Sequence, residues 1–204
     1  MKKSYSQIAW GLAFALIDFR LGSFDVLPDV IGYLLILIGL SRLNSNERPF
    51  SIAWGAAGIQ FILSILQILG LQIGFSLTNY VTPSFSLLTL TAFSTAIELT
   101  MLYGICEGIR RSALSRGTIG LAESARSGWN VLFGFGALTL FVFPFQLNFT
   151  FQDMMAILFL LALGYWICCL WVIFLVRRAG RELPSSGGDG DPDPDLGRRM
   201  DITI

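Results

Sequence analysis

FSLLTLTAFSTAIELTMLYGICE, residues 85–107, is the stretch that decides the fold. It carries one charged side chain, Glu98, before the glutamate that closes it. At about 1.5 Å of rise per residue, a helix over this run exceeds the roughly 30 Å hydrocarbon core of a bilayer. Three further runs have the same character: residues 51–73, 129–147 and 154–176. Two shorter ones, residues 7–21 and 26–43, precede them and are separated by the turn-like Gly22, Ser23, Phe24 and Asp25. The expectation is an all-α, polytopic transmembrane bundle of six helices arranged as three hairpins.

Composition agrees with that class. Of 204 residues 54% are hydrophobic and 14% charged, and the mean hydropathy of +0.67 is far above that of a soluble domain. The formal net charge of zero conceals a segregation of sign. Lys2 and Lys3 precede the first run, Arg42 and Arg48 follow the second, Arg110, Arg111, Arg116 and Arg126 follow the fourth, and Arg177, Arg178 and Arg181 follow the sixth. Six spans put all of these on one side, with only Arg20 toward the other, whereas five spans would scramble them. Because cytoplasmic loops are enriched in lysine and arginine, both termini are expected in the cytoplasm.

The two lysines ahead of an apolar stretch resemble the start of a signal peptide, but Asp18, Phe19 and Arg20 follow it with no small-residue cleavage site, so a retained first helix is expected. Residues 1–182 then form one membrane domain. The connection 110–128 includes Ala122, Glu123, Ser124, Ala125 and Arg126 and is expected to hold a short helix on the membrane surface. Residues 183–204, rich in glycine, proline and aspartate, have too few apolar side chains to order themselves and are expected to be a disordered acidic cytoplasmic tail.

Histidine is absent, which removes serine–histidine and histidine–metal hydrolysis from consideration. Cys106, Cys168 and Cys169 lie in or beside apolar runs without zinc spacing and read as reduced core residues. No phosphate loop or dinucleotide fingerprint occurs, and the arginines are distributed as topology signals rather than as a nucleic-acid patch. No enzyme, cofactor or resident metal is expected.

Glu98 is the most informative residue, because an ionisable group at mid-membrane depth is costly and normally faces a bundle interior or a wet cavity. Ser94, Thr95 and Thr91 extend a polar stripe from it, and the preceding run has its own at Gln60, Ser64 and Gln67. In an antiparallel hairpin the register that sets Gln60 opposite Glu98 also sets Gln67 opposite Thr91. Glu98, Gln60, Ser64 and Thr95 are therefore a candidate polar site with two readings: a protonated carboxyl gluing helices together, or a carboxyl that binds and releases a proton or cation. A second constellation, Asp18, Arg20, Asp25 and Asp29, gathers at the first extracytoplasmic turn. Asp25 suits a helix N-cap and Asp29 the positive end of a helix dipole; held below the membrane surface, the same carboxylates would form a charged mouth. Tyr165, Trp166 and Trp171 read as core packing, and Gly134, Gly136 and Pro144 as close packing with a kink.

The segment IDFRLGSFDVLPDVIGY, residues 17–33, resembles the N-terminus of a group of uncharacterised multi-pass membrane proteins of Gram-positive bacteria, whose pattern runs D-I-L-P-D-F-I-G-Y into an apolar helix. Asp25, Pro28, Asp29, Gly32 and Tyr33 are the matching positions, and residues 103–109, YGICEGI, extend the likeness. The resemblance implies a bacterial cytoplasmic membrane and a shared topology, and no activity. Two function classes follow: a small transporter or channel-like protein using the Glu98 interior, or a non-catalytic scaffold or sensor subunit that binds another membrane protein. Membrane lipids are the expected neighbours, with a homo-oligomer or a partner membrane protein as the protein contact.

Overall fold

A computed structural model describes residues 2–16, 20–21, 24–25, 29–43, 48–69, 84–148 and 151–183, and of residues 20–21, 24–25 and 151–155 the backbone alone. Within these residues lie six α-helices: α1 (Lys2–Leu16), α2 (Asp29–Ser41), α3 (Arg48–Ile68), α4 (Phe85–Leu114), α5 (Ile119–Val142) and α6 (Phe151–Glu182). Four of them, α3 to α6, are long and apolar enough to cross a membrane; α2 is apolar but shorter. Where a simple turn was expected between the first two helices, β1 (Arg20–Leu21) pairs antiparallel with β2 (Phe24–Asp25), setting Arg20 opposite Asp25. The tail from residue 184 onward lies outside the described residues.

Helix α4 shows how threonines are carried in an apolar span. Ser84 caps its start, its hydroxyl accepting the Leu87 N–H at 3.2 Å. The hydroxyls of Thr89, Thr91, Thr95 and Thr100 each donate to the carbonyl four residues earlier at 2.8–2.9 Å. Hydrocarbon offers no water to these groups, so they are satisfied within their own helix. At the far end Gly117, with φ +73°, lets the Thr118 N–H reach the Ala113 carbonyl and the Gly117 N–H the Leu114 carbonyl, the paired bonds that end a helix in a left-handed residue. The chain turns there directly into α5.

That turn overrides the expected surface helix. Residues 122–126 belong to the first turns of α5, because Ala122 and Ala125 are buried in the core and hold this stretch to the bundle. Pro144 does not kink the middle of a helix; it lies in a 3₁₀ turn, Phe143–Leu147, that follows α5. Helix α1 starts and ends about five residues earlier than expected, stopping before the β1–β2 ladder. Trp166 and Trp171 are not core residues, since both are more than two-fifths exposed on the outside of α6.

Each helix packs antiparallel against its neighbour in sequence, and α6 closes back on α1, so the three hairpins form a ring. Small residues set the approach. A Cβ on Gly11 of α1 would lie 2.6 Å from the Gly32 carbonyl oxygen of α2, and one on Gly104 of α4 would lie 2.6 Å from the Pro49 carbonyl oxygen of α3. Gly180 of α6 lies against Tyr5 of α1, and Arg177 stacks over the Trp10 ring at 5.1 Å, closing the ring. This alternation brings the start of α1, the end of α2, the start of α3, the end of α4, the start of α5 and the end of α6 to one end of the bundle, and with them the lysines and arginines of the described helices and their ends. The outer wall carries large apolar side chains, among them Ile62, Phe85, Phe141 and Phe174, each more than half exposed. Exposed apolar side chains in this number are in keeping with helices able to cross a membrane.

Gly104→Leu is expected to destabilise the detergent-solubilised protein by about 1–3 kcal/mol through overpacking against backbone. Gly55→Ala, at a position where a Cβ meets nothing within 4 Å, is expected to stabilise it by about 0.5–1 kcal/mol. Thermal unfolding of the two variants, read by circular dichroism, checks both signs.

Candidate functional site

The polar stripes of α3 and α4 meet, though not in the expected register. The Gln60 amide nitrogen donates to the Ser94 carbonyl at 2.8 Å, and the Ser94 hydroxyl donates back to the Gln60 side-chain oxygen at 3.3 Å. Gln60 is thus paired one turn away from Glu98. Ser64 spends its hydroxyl on the Phe61 carbonyl and Thr95 on the Thr91 carbonyl. The three partners assigned to the glutamate from sequence are therefore committed elsewhere. Gln60 with Ser94 is the interhelical glue of this hairpin.

Glu98 looks across the bundle instead. It borders a cavity of about 30 Å³ with Leu12 and Leu16 of α1, Tyr33 of α2, and Cys169 and Ile173 of α6. A single water needs roughly 10–15 Å³ by this measure, so the space holds one or two water-sized species. Glu98 is densely enclosed by neighbouring atoms yet still accessible to a water-sized probe; lining the cavity reconciles the two. The Tyr165 hydroxyl of α6 lies beside the carboxyl without closing a hydrogen bond of ordinary geometry, and it is buried with no hydrogen-bond partner. Tyr33 and Cys169 are within electrostatic range of Glu98 as well. No lysine or arginine among the described residues acts on it.

Four helices therefore converge on one carboxyl, two phenols and a thiol. An ionised carboxylate without a counter-charge is costly in such surroundings, so Glu98 is stable there only when neutralised by a proton or a cation. Among the described residues no cluster of three or more cysteine, aspartate or glutamate side chains is placed to hold a metal. One carboxylate falls well short of the six to eight oxygen ligands of calcium. A proton or a single monovalent cation would suffice to neutralise the carboxylate.

Of the second constellation, Asp18 lies outside the described residues, and Arg20 and Asp25 are placed only by backbone, facing each other across the β1–β2 ladder. Asp29 is the first residue of α2, in keeping with helix-start chemistry. One turn deeper on the same helix, Tyr33 interacts electrostatically with both Asp29 and Glu98. Tyr33 and Glu98 border the same cavity, and Asp29 lies one turn before Tyr33 on α2. Tyr33, Tyr165 and Cys169 were missed as site residues. The available signals were the four-residue spacings of Asp29 to Tyr33 and of Tyr165 to Cys169, each placing two polar groups on one face of an apolar helix.

Gln60→Leu is expected to cost about 1 kcal/mol by removing the bond between α3 and α4. Tyr165→Phe is expected to change stability by less than about 0.5 kcal/mol, because its hydroxyl has no bond to lose. Chemical denaturation of the two variants in mixed micelles separates the structural pair from the site pair. No family model, curated protein or solved structure matches the chain.

Proposed function

We propose that the chain is a small transporter or channel-like protein that moves protons or a monovalent cation, with Glu98 as its exchange site. The observation that carries this reading is that Glu98 borders a water-sized cavity while Gln60, Ser64 and Thr95 are bonded elsewhere. A carboxyl retained only to tie helices together would be expected to use those partners. Glu98 instead faces Tyr165, whose free hydroxyl is a ready donor or acceptor for a proton passing to or from the carboxyl.

Asp29 and Tyr33 on α2 supply the outer half of a route to Glu98. The working location is the bacterial cytoplasmic membrane, with six spans and both termini in the cytoplasm. The collection of lysines and arginines at one end of the bundle supports this orientation.

Flux is the decisive test. In liposomes with an imposed proton, sodium or potassium gradient, the wild-type protein is expected to dissipate at least one of them, and Glu98→Gln is expected to reduce that flux to the level of empty liposomes while leaving the melting temperature almost unchanged. Normal flux through Glu98→Gln, or a large loss of stability in that variant, would overturn the proposal. Orientation is checked separately with a membrane-impermeant maleimide on intact cells. Ser84→Cys is expected to label from outside and Ser115→Cys only after permeabilisation, against a low background because Cys106, Cys168 and Cys169 are buried.

A further inference from the structure

A second cavity, of about 330 Å³, opens between the end of α4 and the start of α5 at the basic end of the bundle. Its wall includes Tyr103, Glu107, Arg110, Arg126, Trp129 and Asn130. Glu107 is fully engaged: it accepts the Arg110 Nε and Nη2 at 2.6 and 2.8 Å and the Arg111 Nε at 2.8 Å. This two-pronged bond fixes the plane of the Arg110 guanidinium at the cavity wall. Two guanidinium groups share one carboxylate, which leaves a surplus positive charge. Arg126 adds another, since it makes no salt bridge or hydrogen bond among the described residues, Glu123 on the preceding turn included. The polar end of the cavity thus has anion-binding donors in excess of its own acceptors.

The other end is aromatic. Tyr103 and Trp129 are in contact with ring centroids 5.1 Å apart, and Trp129 continues to Phe133 at 5.4 Å. Phe133 is half exposed and lies one turn further along α5, toward the middle of the span. The cavity therefore runs from surplus arginine at the membrane surface onto an aromatic ridge that descends the lipid-facing wall. A free phosphate would use only the first half; a phospholipid matches both, its phosphodiester among Arg110, Arg126 and Asn130 and an acyl chain along Trp129 and Phe133.

We propose that this cavity is a binding site for one anionic phospholipid, held by its headgroup phosphate between α4 and α5. It stands independently of any transport by Glu98. Purified, delipidated protein is titrated with phosphatidylglycerol or with phosphatidylcholine, and bound lipid is counted by native mass spectrometry. One phosphatidylglycerol is expected to be retained in preference to phosphatidylcholine. Arg126→Gln is expected to weaken it about tenfold, as loss of one charge-assisted hydrogen bond implies, with Asn130→Leu acting in the same direction and Arg181→Gln, at the end of α6, without effect. Equal retention of the two lipids, or equal losses in Arg126→Gln and Arg181→Gln, would overturn the proposal in favour of general attraction to a basic surface. Displacement of the lipid by millimolar inorganic phosphate would overturn it in favour of a soluble-anion pocket.

Discussion

Close antiparallel approach at glycine is the constraint on which this bundle depends. Lipid tails are as apolar as leucine, so helices in a bilayer gain little from hiding apolar surface from one another and must gain from contact instead. Gly11 and Gly32 bring α1 and α2 together, Gly104 seats α4 on Pro49 and Ala53 of α3, and Gly180 seats α6 on Tyr5 of α1. Each contact fixes one seam of the ring. Once the ring closes, every basic helix end lies at the same end of the molecule, and the faces of α1, α2, α4 and α6 that look inward are determined.

Satisfaction of polar groups follows from the same surroundings. Thr89, Thr91, Thr95 and Thr100 turn their hydroxyls back onto their own helix, and Gln60 and Ser94 bond to each other. Against this thrift, the Tyr165 hydroxyl is buried without a hydrogen-bond partner, and Glu98 beside it lines a small cavity. Unused capacity in the middle of an apolar bundle is costly, and a group that changes its proton or cation occupancy has a physical reason to keep it. The basic end shows the complementary pattern, in which Glu107 is saturated by two arginines while Arg126 keeps its donors for an external anion.

The polar residues therefore sort into two kinds by what their hydrogen bonds do. Back-bonded threonines and the Gln60–Ser94 pair hold the scaffold. Glu98 and Tyr33 at the centre, and Arg110, Arg126 and Asn130 at the basic end, line cavities.

Much of the architecture was legible in the chain alone. Apolar run length is a local property, so the six helices could be counted, and the threonine-rich fourth run drew notice to its mid-helix carboxylate, Glu98. Helix ends were harder, because Gly117 terminates α4 by a left-handed turn while the alanines after it are drawn into the core, producing one continuous α5 from what looked like a surface helix and a span. The partners of Glu98 were not legible. Which face of a helix meets which neighbour depends on how all six pack at once. A shift of one turn gave Gln60 to Ser94 and turned Glu98 toward Tyr33 and Tyr165, residues far away in sequence. Hydropathy determined that a carboxyl lay within a helix long and apolar enough to cross a membrane; only the closed ring decided what it faces, because azimuth and register are set by contacts between helices and not within them.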